Sequence, residues 1–204
     1  MEPSLQQKDI DLFDNLTEQE FIEIRSLFVY ERFNKGDFIV QENQMVGKVY
    51  FIYSGLVKLS FLDRDINEHI LSFAFENWWE TDFSAFYNQN KSRLTLQCVE
   101  DTETFSLDYQ HYLKILENHG ISKYFLDKSI RGHIASQKRI LTLLTANPKE
   151  KYEEFLKLYP SLVQRIPKSM LALYLGVSRE TLSRLYKYRN NESDSGHTTI
   201  HKNP

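Results

Sequence analysis

The hydrophobic positions of this chain change period twice. After Leu16 they fall at Phe21, Ile24, Leu27 and Phe28, the spacing of one helix face. Thr17-Glu18-Gln19-Glu20 opens that stretch as a capping box. The period then drops to two. Phe38-Ile39-Val40, Val49 to Tyr53, Leu56 to Leu59, Ile66 to Phe75, Arg93 to Val99 and Thr104 to Leu107 read as short strands. Turn residues separate them at Lys35-Gly36-Asp37, Glu42-Asn43, Ser54-Gly55 and Asp63-Arg64-Asp65. Such spacing predicts an antiparallel sandwich or barrel.

From Asp108 the helical period returns. Asp108 can cap DYQHYLKILENH, and Gly120 would be the glycine just past its end. A longer helix is expected to Thr145, with Ile130, Ile134, Gln137, Leu141 and Leu144 stepping by four, three, four and three. That is a heptad seam, which can pack on its own barrel or on a second copy. Asn147-Pro148 ends the helix and is the expected hinge. A helix over Lys149 to Leu158 follows, with Tyr152, Phe155 and Leu156 for a core.

The stretch Pro167 to Lys187, PKSMLALYLGVSRETLSRLYK, predicts two short helices broken at Gly176. Leu171, Leu175, Leu182 and Leu185 face inward, and Ala172 is small enough for a steep crossing. Ser178 can cap the second helix. The pattern is a helix-turn-helix. Arg179, Glu180, Ser183, Arg184 and Lys187 are left outside. Arg can donate two bonds to guanine and Glu can accept from cytosine, so such a face can read bases. It would serve equally as a solvated face, with Arg184 paired to Glu180.

Charge separates the two halves. Residues 149–190 hold nine Lys or Arg against four acids, while the chain as a whole carries −3. A basic module joined to an acidic one suits a DNA-binding domain attached to a sensor. No apolar run approaches a membrane span, and the acidic first residues lack a signal-peptide core, so a cytoplasmic protein without a membrane partner is expected. The lone Cys98 excludes an intrachain disulfide, and its apolar run predicts a buried thiol. His197 and His201 have helical spacing in a polar tail, which is weak ground for a metal site, and none is expected. No nucleophile–base pair is visible, and the chain is not expected to be an enzyme.

GVSRETLSRLYK is very similar to the recognition segment of the catabolite activator (Crp/Fnr) family of bacterial regulators. KGDFIVQE at 35–42 and GKVYFIYSGLVKL at 47–59 resemble that family's cyclic-nucleotide-binding-type β-roll, with Gly47 and Gly55 at turns. The resemblance implies an α+β chain. A sensor roll would span 1–120, a dimerisation helix and hinge 121–147, a helix-turn-helix domain 148–190 and a disordered tail 191–204, with little left for a wing hairpin. It implies a homodimer on double-stranded DNA, with RNA polymerase as a further partner. Arg179, Glu180 and Arg184 would read bases from helix 178–188, and Lys168, Ser178, Ser183 and Lys187 would hold phosphates. The alternative is a sensor whose helix-turn-helix is a protein-interaction surface.

The family's phosphate cassette places Gly-Glu before a short helix and Arg-Ser/Thr ten residues after the Glu. This chain has Thr81-Asp82 and Ser92-Arg93 there. Asp82 would meet a ribose hydroxyl, Arg93 is displaced by one position, and Ser136 stands where the family contacts adenine. No cofactor is expected, and a cyclic nucleotide fits this cassette poorly. Trp78 and Trp79 precede it and are expected to pack.

Overall fold

The computed structural model describes residues 5–14 and 16–195, with side chains as far as Lys187. It divides into two compact units, 1–135 and 136–204.

The first unit opens with two 3-10 turns, Gln7–Asp9 and Asp11–Phe13. Helix α1 (Glu18–Arg25) has the expected box: Glu20 N–H donates to Thr17 Oγ1 and Thr17 N–H to Glu20 Oε2. Eight strands follow: β1 (Val29–Phe33), β2 (Phe38–Val40), β3 (Lys48–Ser54), β4 (Leu56–Leu62), β5 (Glu68–Phe75), β6 (Trp78–Glu80), β7 (Thr95–Cys98) and β8 (Thr102–Asp108). They form two antiparallel sheets, β1-β8-β3-β6 and β2-β7-β4-β5. Short helix α2 (Phe83–Tyr87) sits between β6 and β7, and α3 (Tyr109–Ile115) follows β8. The architecture is the expected α+β roll. β1 and β6 extend the expected set of strands, since neither alternates cleanly in polarity.

The core lies between the sheets and under the flanking helices. Phe51, Ile52, Leu96 and Leu107 come from strands, and Phe86, Ile115 and Ile121 from helices, all fully buried. Trp79 packs among Phe28, Phe51 and Phe125, and its Nε1 donates to Tyr124 Oη (3.1 Å). Trp78 stacks on Phe75. Both tryptophans therefore pack. Gly55 joins β3 to β4 at φ +105°, and a Cβ there would meet Asp101 O at 2.6 Å. Gly47 has no such constraint: nothing lies within 4 Å of a Cβ added to it.

Helix α4 (His119–Thr145) starts differently from expectation. Gly120 is its second residue, not the end of α3. Asn118 Oδ1 accepts from Gly120 and Ile121 N–H and caps α4 instead. The division between the units falls inside α4.

The second unit contains the end of α4, α5 (Pro148–Leu158), α6 (Lys168–Leu175) and α7 (Arg179–Ser195). Asn147 caps α5 in a reciprocal box with Glu150, and Pro148 takes the first helical position. The expected hinge at Asn147-Pro148 is spanned by contacts. Thr142 donates to Glu154 (2.6 Å), and Arg139 lies 3.6 Å over the Tyr174 ring while donating to Tyr174 O (2.9 Å). The last turns of α4 thus pack with α5 and α6. Helix α7 continues to Ser195, well past the expected end at 188 and into the expected tail. Residues 196–204, with His197 and His201, lie outside the described residues. Among the described residues no helix is long and apolar enough to cross a membrane, and no group of three or more His, Cys, Asp and Glu is arranged to hold a metal ion.

Candidate nucleic-acid interface and effector cassette

The helix-turn-helix is built as its pattern requires. Gly176 closes α6 in the left-handed region (φ 63°, ψ 40°), and Val177 N–H donates back to Ala172 O (3.0 Å). A left-handed residue at this point favours glycine, which has no Cβ to clash. Ser178 Oγ accepts from Thr181 N–H (3.1 Å) and caps α7. Leu171, Ala172, Leu175 and Leu182 are buried, as are Leu162 and Ile166, and α7 packs against α6. Tyr152 of α5 stacks on Tyr186 of α7 at 5.1 Å between ring centres.

That packing leaves one face of α7 in solvent. Arg179, Glu180, Ser183, Arg184 and Lys187 line a single concave strip, and no other described residue contributes to it. Arg184 donates to Thr181 Oγ1 (3.3 Å), and no ion pair with Glu180 forms. Glu180 is nonetheless held below the usual carboxylate range, by its own backbone N–H and Ser178 first and by the two arginines last. Lys168, at the start of α6, rests its ammonium over the Tyr186 ring at 4.3 Å. The seven residues expected at DNA therefore fall on α6, the turn and α7, five of them on one strip. The Arg139–Tyr174 clamp was missed from sequence. Its partners lie thirty-five positions apart, and no local pattern marks such a pair.

The cassette residues come together differently. Asp82 is 4% exposed and caps α2, its Oδ1 accepting from Ala85 N–H (3.0 Å). Its Oδ2 accepts from Ser92 Oγ (2.8 Å) and Arg93 N–H (3.2 Å). Only the backbone of Arg93 takes part; its side chain is exposed, on a bend before β7. Thr81 is fully buried and donates to Lys48 O (3.0 Å). Ser136 is exposed on the part of α4 that belongs to the second unit, and Asp82 and Ser92 belong to the first.

Sequence reasoning passed over Glu80, the residue before this pair. It is 7% exposed on β6, accepts from Ser72 Oγ of β5 (2.9 Å) and from Thr81 N–H (3.2 Å), and so ties one sheet to the other. Burial first, and the Asp82 charge last, push its carboxyl up to about 7. Cys98 is buried as expected, and burial raises its thiol to about 11.

Residues 30–119 match the cyclic nucleotide-binding domain family. The matched segment lies within the first unit and takes in its roll. A comparison with curated proteins finds no match to the chain. Among solved structures, the chain resembles FixK2 from Bradyrhizobium japonicum at 17% identity and a TM-score of 0.72, over 81% of this chain and 86% of that one. A protein described as a transcriptional regulator of the Crp/Fnr family, from Eubacterium rectale, aligns at 16% identity and a TM-score of 0.69, over 91% and 88%. The c-di-GMP responsive global regulator CLP of Xanthomonas campestris aligns at 13% identity and a TM-score of 0.66, over 92% and 96%. These likenesses establish a shared fold: a cyclic nucleotide-binding-type roll, a long helix and a C-terminal helix-turn-helix, as in Crp/Fnr regulators.

Proposed function

We propose that this protein is a dimeric, sequence-specific DNA-binding transcriptional regulator of Crp/Fnr type. The observation that carries the reading is the strip Arg179, Glu180, Ser183, Arg184 and Lys187, held outward on a rigid helix by buried Leu182. Arg179 and Glu180 lie in the first turn of α7, the part of a recognition helix that meets base edges. Arg184 follows one turn later. Ser178, Ser183, Lys187 and Lys168 suit phosphate contacts, which fix register.

The long helix supports the dimer. Ile130, Ile134, Leu141 and Leu144 are all exposed on α4, Leu141 at 61% and Leu144 at 79%. A second copy along this seam would cover them and set two recognition helices about one DNA turn, roughly 34 Å, apart on a near-palindromic site. With DNA as its partner the protein works in the cytoplasm.

Selection from a random duplex library, followed by gel shift, tests the reading. Arg179→Ala should weaken the selected site by about 1–3 kcal/mol and relax preference at one base pair. Lys187→Ala should weaken all sequences alike and lower the salt slope by about one. Equal effects of the two on specificity would overturn the assigned roles. A wild-type chain that binds no duplex at low salt would leave the helix-turn-helix as a protein-interaction surface.

A further inference from the structure

The cassette of this roll has no free place for a ligand anion. Both Asp82 oxygens accept hydrogen bonds from the protein, one from the start of α2 and one from the Ser92–Arg93 bend. All of those donors are neutral. Thr81 fills with a bonded side chain the point where close approach to a phosphate favours glycine. Arg93, the cation that the cassette sequence offers, is exposed. Glu80 adds a second buried carboxyl beside Asp82. A phosphate entering here would meet like charge and find no arginine to neutralise it.

The bend is also fastened from outside. Asn43 N–H donates to Ser92 O and Ser92 N–H to Gln44 O, each at 2.8 Å, and Val46 N–H donates to Asn90 O (3.2 Å). Asn90 N–H donates to Ala85 O (2.9 Å), which returns the bend to α2. Helix, bend and the β2–β3 loop therefore form one bonded unit around Asp82.

We infer that this cassette is closed by its own side chains: the Asp82 carboxylate is its built-in anion, and the roll takes neither a cyclic nucleotide nor another phosphate ligand. The inference deepens the regulator reading and rests on it for one consequence only, DNA binding that needs no nucleotide. Asp82 does locally what a bound anion would do, joining the α2 amide to the bend. The cassette consequently has one state, and control of such a regulator passes to its abundance or to another surface.

Three measurements on the full chain test this. Melting at pH 7 with about 1 mM cyclic AMP, cyclic GMP, cyclic di-GMP or inorganic phosphate should leave Tm unchanged, whereas a ligand well above its Kd would raise it by several degrees. A rise of that size with any of the four overturns the closed cassette. Amide exchange of the unliganded chain should show Ala85 and Arg93 protected, and Asp82→Asn, whose amide group cannot accept from both sides, should speed both by about tenfold or more. If Asp82→Asn does not fold, Ser92→Ala removes one donor to Asp82 and the acceptor of Leu94 N–H, and should speed Leu94 while Ala85 stays protected. Exchange as fast in the wild type as in the variants also overturns the inference. Gel shift separates the two readings. DNA binding that is equal with and without cyclic AMP supports both. No DNA binding in either case, with Tm unmoved, removes the regulator reading and leaves the closed cassette standing. DNA binding only with the nucleotide removes the closed cassette and keeps the regulator.

Discussion

Glu80 gives the roll a stability that depends on pH. Its carboxyl titrates near 7 in the folded protein against 4.5 as its ordinary value. A folded state that holds its proton more tightly is favoured at low pH and loses that advantage as pH rises through the interval between the two values. The stabilisation is thus whole below about pH 4.5, falls between about 4.5 and 7, and is gone above. The full difference is worth about 3 kcal/mol, at about 1.36 kcal/mol per pH unit. Glu80→Gln keeps the shape, still accepts from Thr81 N–H and can donate to Ser72 Oγ, and carries no charge. At pH 8 the variant should exceed the wild type by about 2–3 kcal/mol, near 2–4 °C in Tm for each kcal/mol, and below about pH 4.5 the two should match. Trp78 and Trp79 share β6 with Glu80, so tryptophan fluorescence during urea unfolding reports this element directly. A difference between the two proteins that stays constant from pH 5 to 8, or shrinks toward pH 8, would refute the account of a buried, uncompensated carboxylate.

The α4 stripe and the α4 clamp give two further tests. Replacing both Leu141 and Leu144 by Ser should convert a dimer to a monomer in sedimentation, since each leucine buried at an interface contributes about 1.5–3 kcal/mol; an intact dimer would place the interface elsewhere. Arg139→Ala removes a ring contact at 3.6 Å and a hydrogen bond to Tyr174 O, and should lower the stability of the second unit by about 1–3 kcal/mol. Arg139→Lys should recover only part, because an ammonium lacks the flat face that stacks. An unchanged urea midpoint in Arg139→Ala would remove the clamp.

Most of the architecture was legible because its signals are local. The Thr17–Glu20 box, the strand alternation through β2 to β5, Asp108 at the head of α3, Gly176 and the Ser178 cap each act within a few residues. The short strands β1 and β6 were missed because their burial comes from partners far along the chain rather than from alternation. Gly120 misled because a glycine and a helix end look alike from either side, and it was Asn118 that marked the boundary. The end of α7 was misplaced because its last turns are polar and carry no periodic apolar signal.

The candidate site divides in the same way. The seven residues expected at DNA come from one helix-turn-helix, where local periodicity decides which side chains face out. The cassette residues were also found by position, and what they do there was not readable. Whether Arg93 turns inward, whether Asp82 is free, and whether Glu80 is buried depend on how α2, the bend and the β2–β3 loop meet. A sequence determines the period, the caps and the charge of each segment, because these are properties of neighbours along the chain. Burial, and with it a carboxyl near pH 7 and a cassette fastened on itself, arises only when segments distant in sequence exclude water from one another.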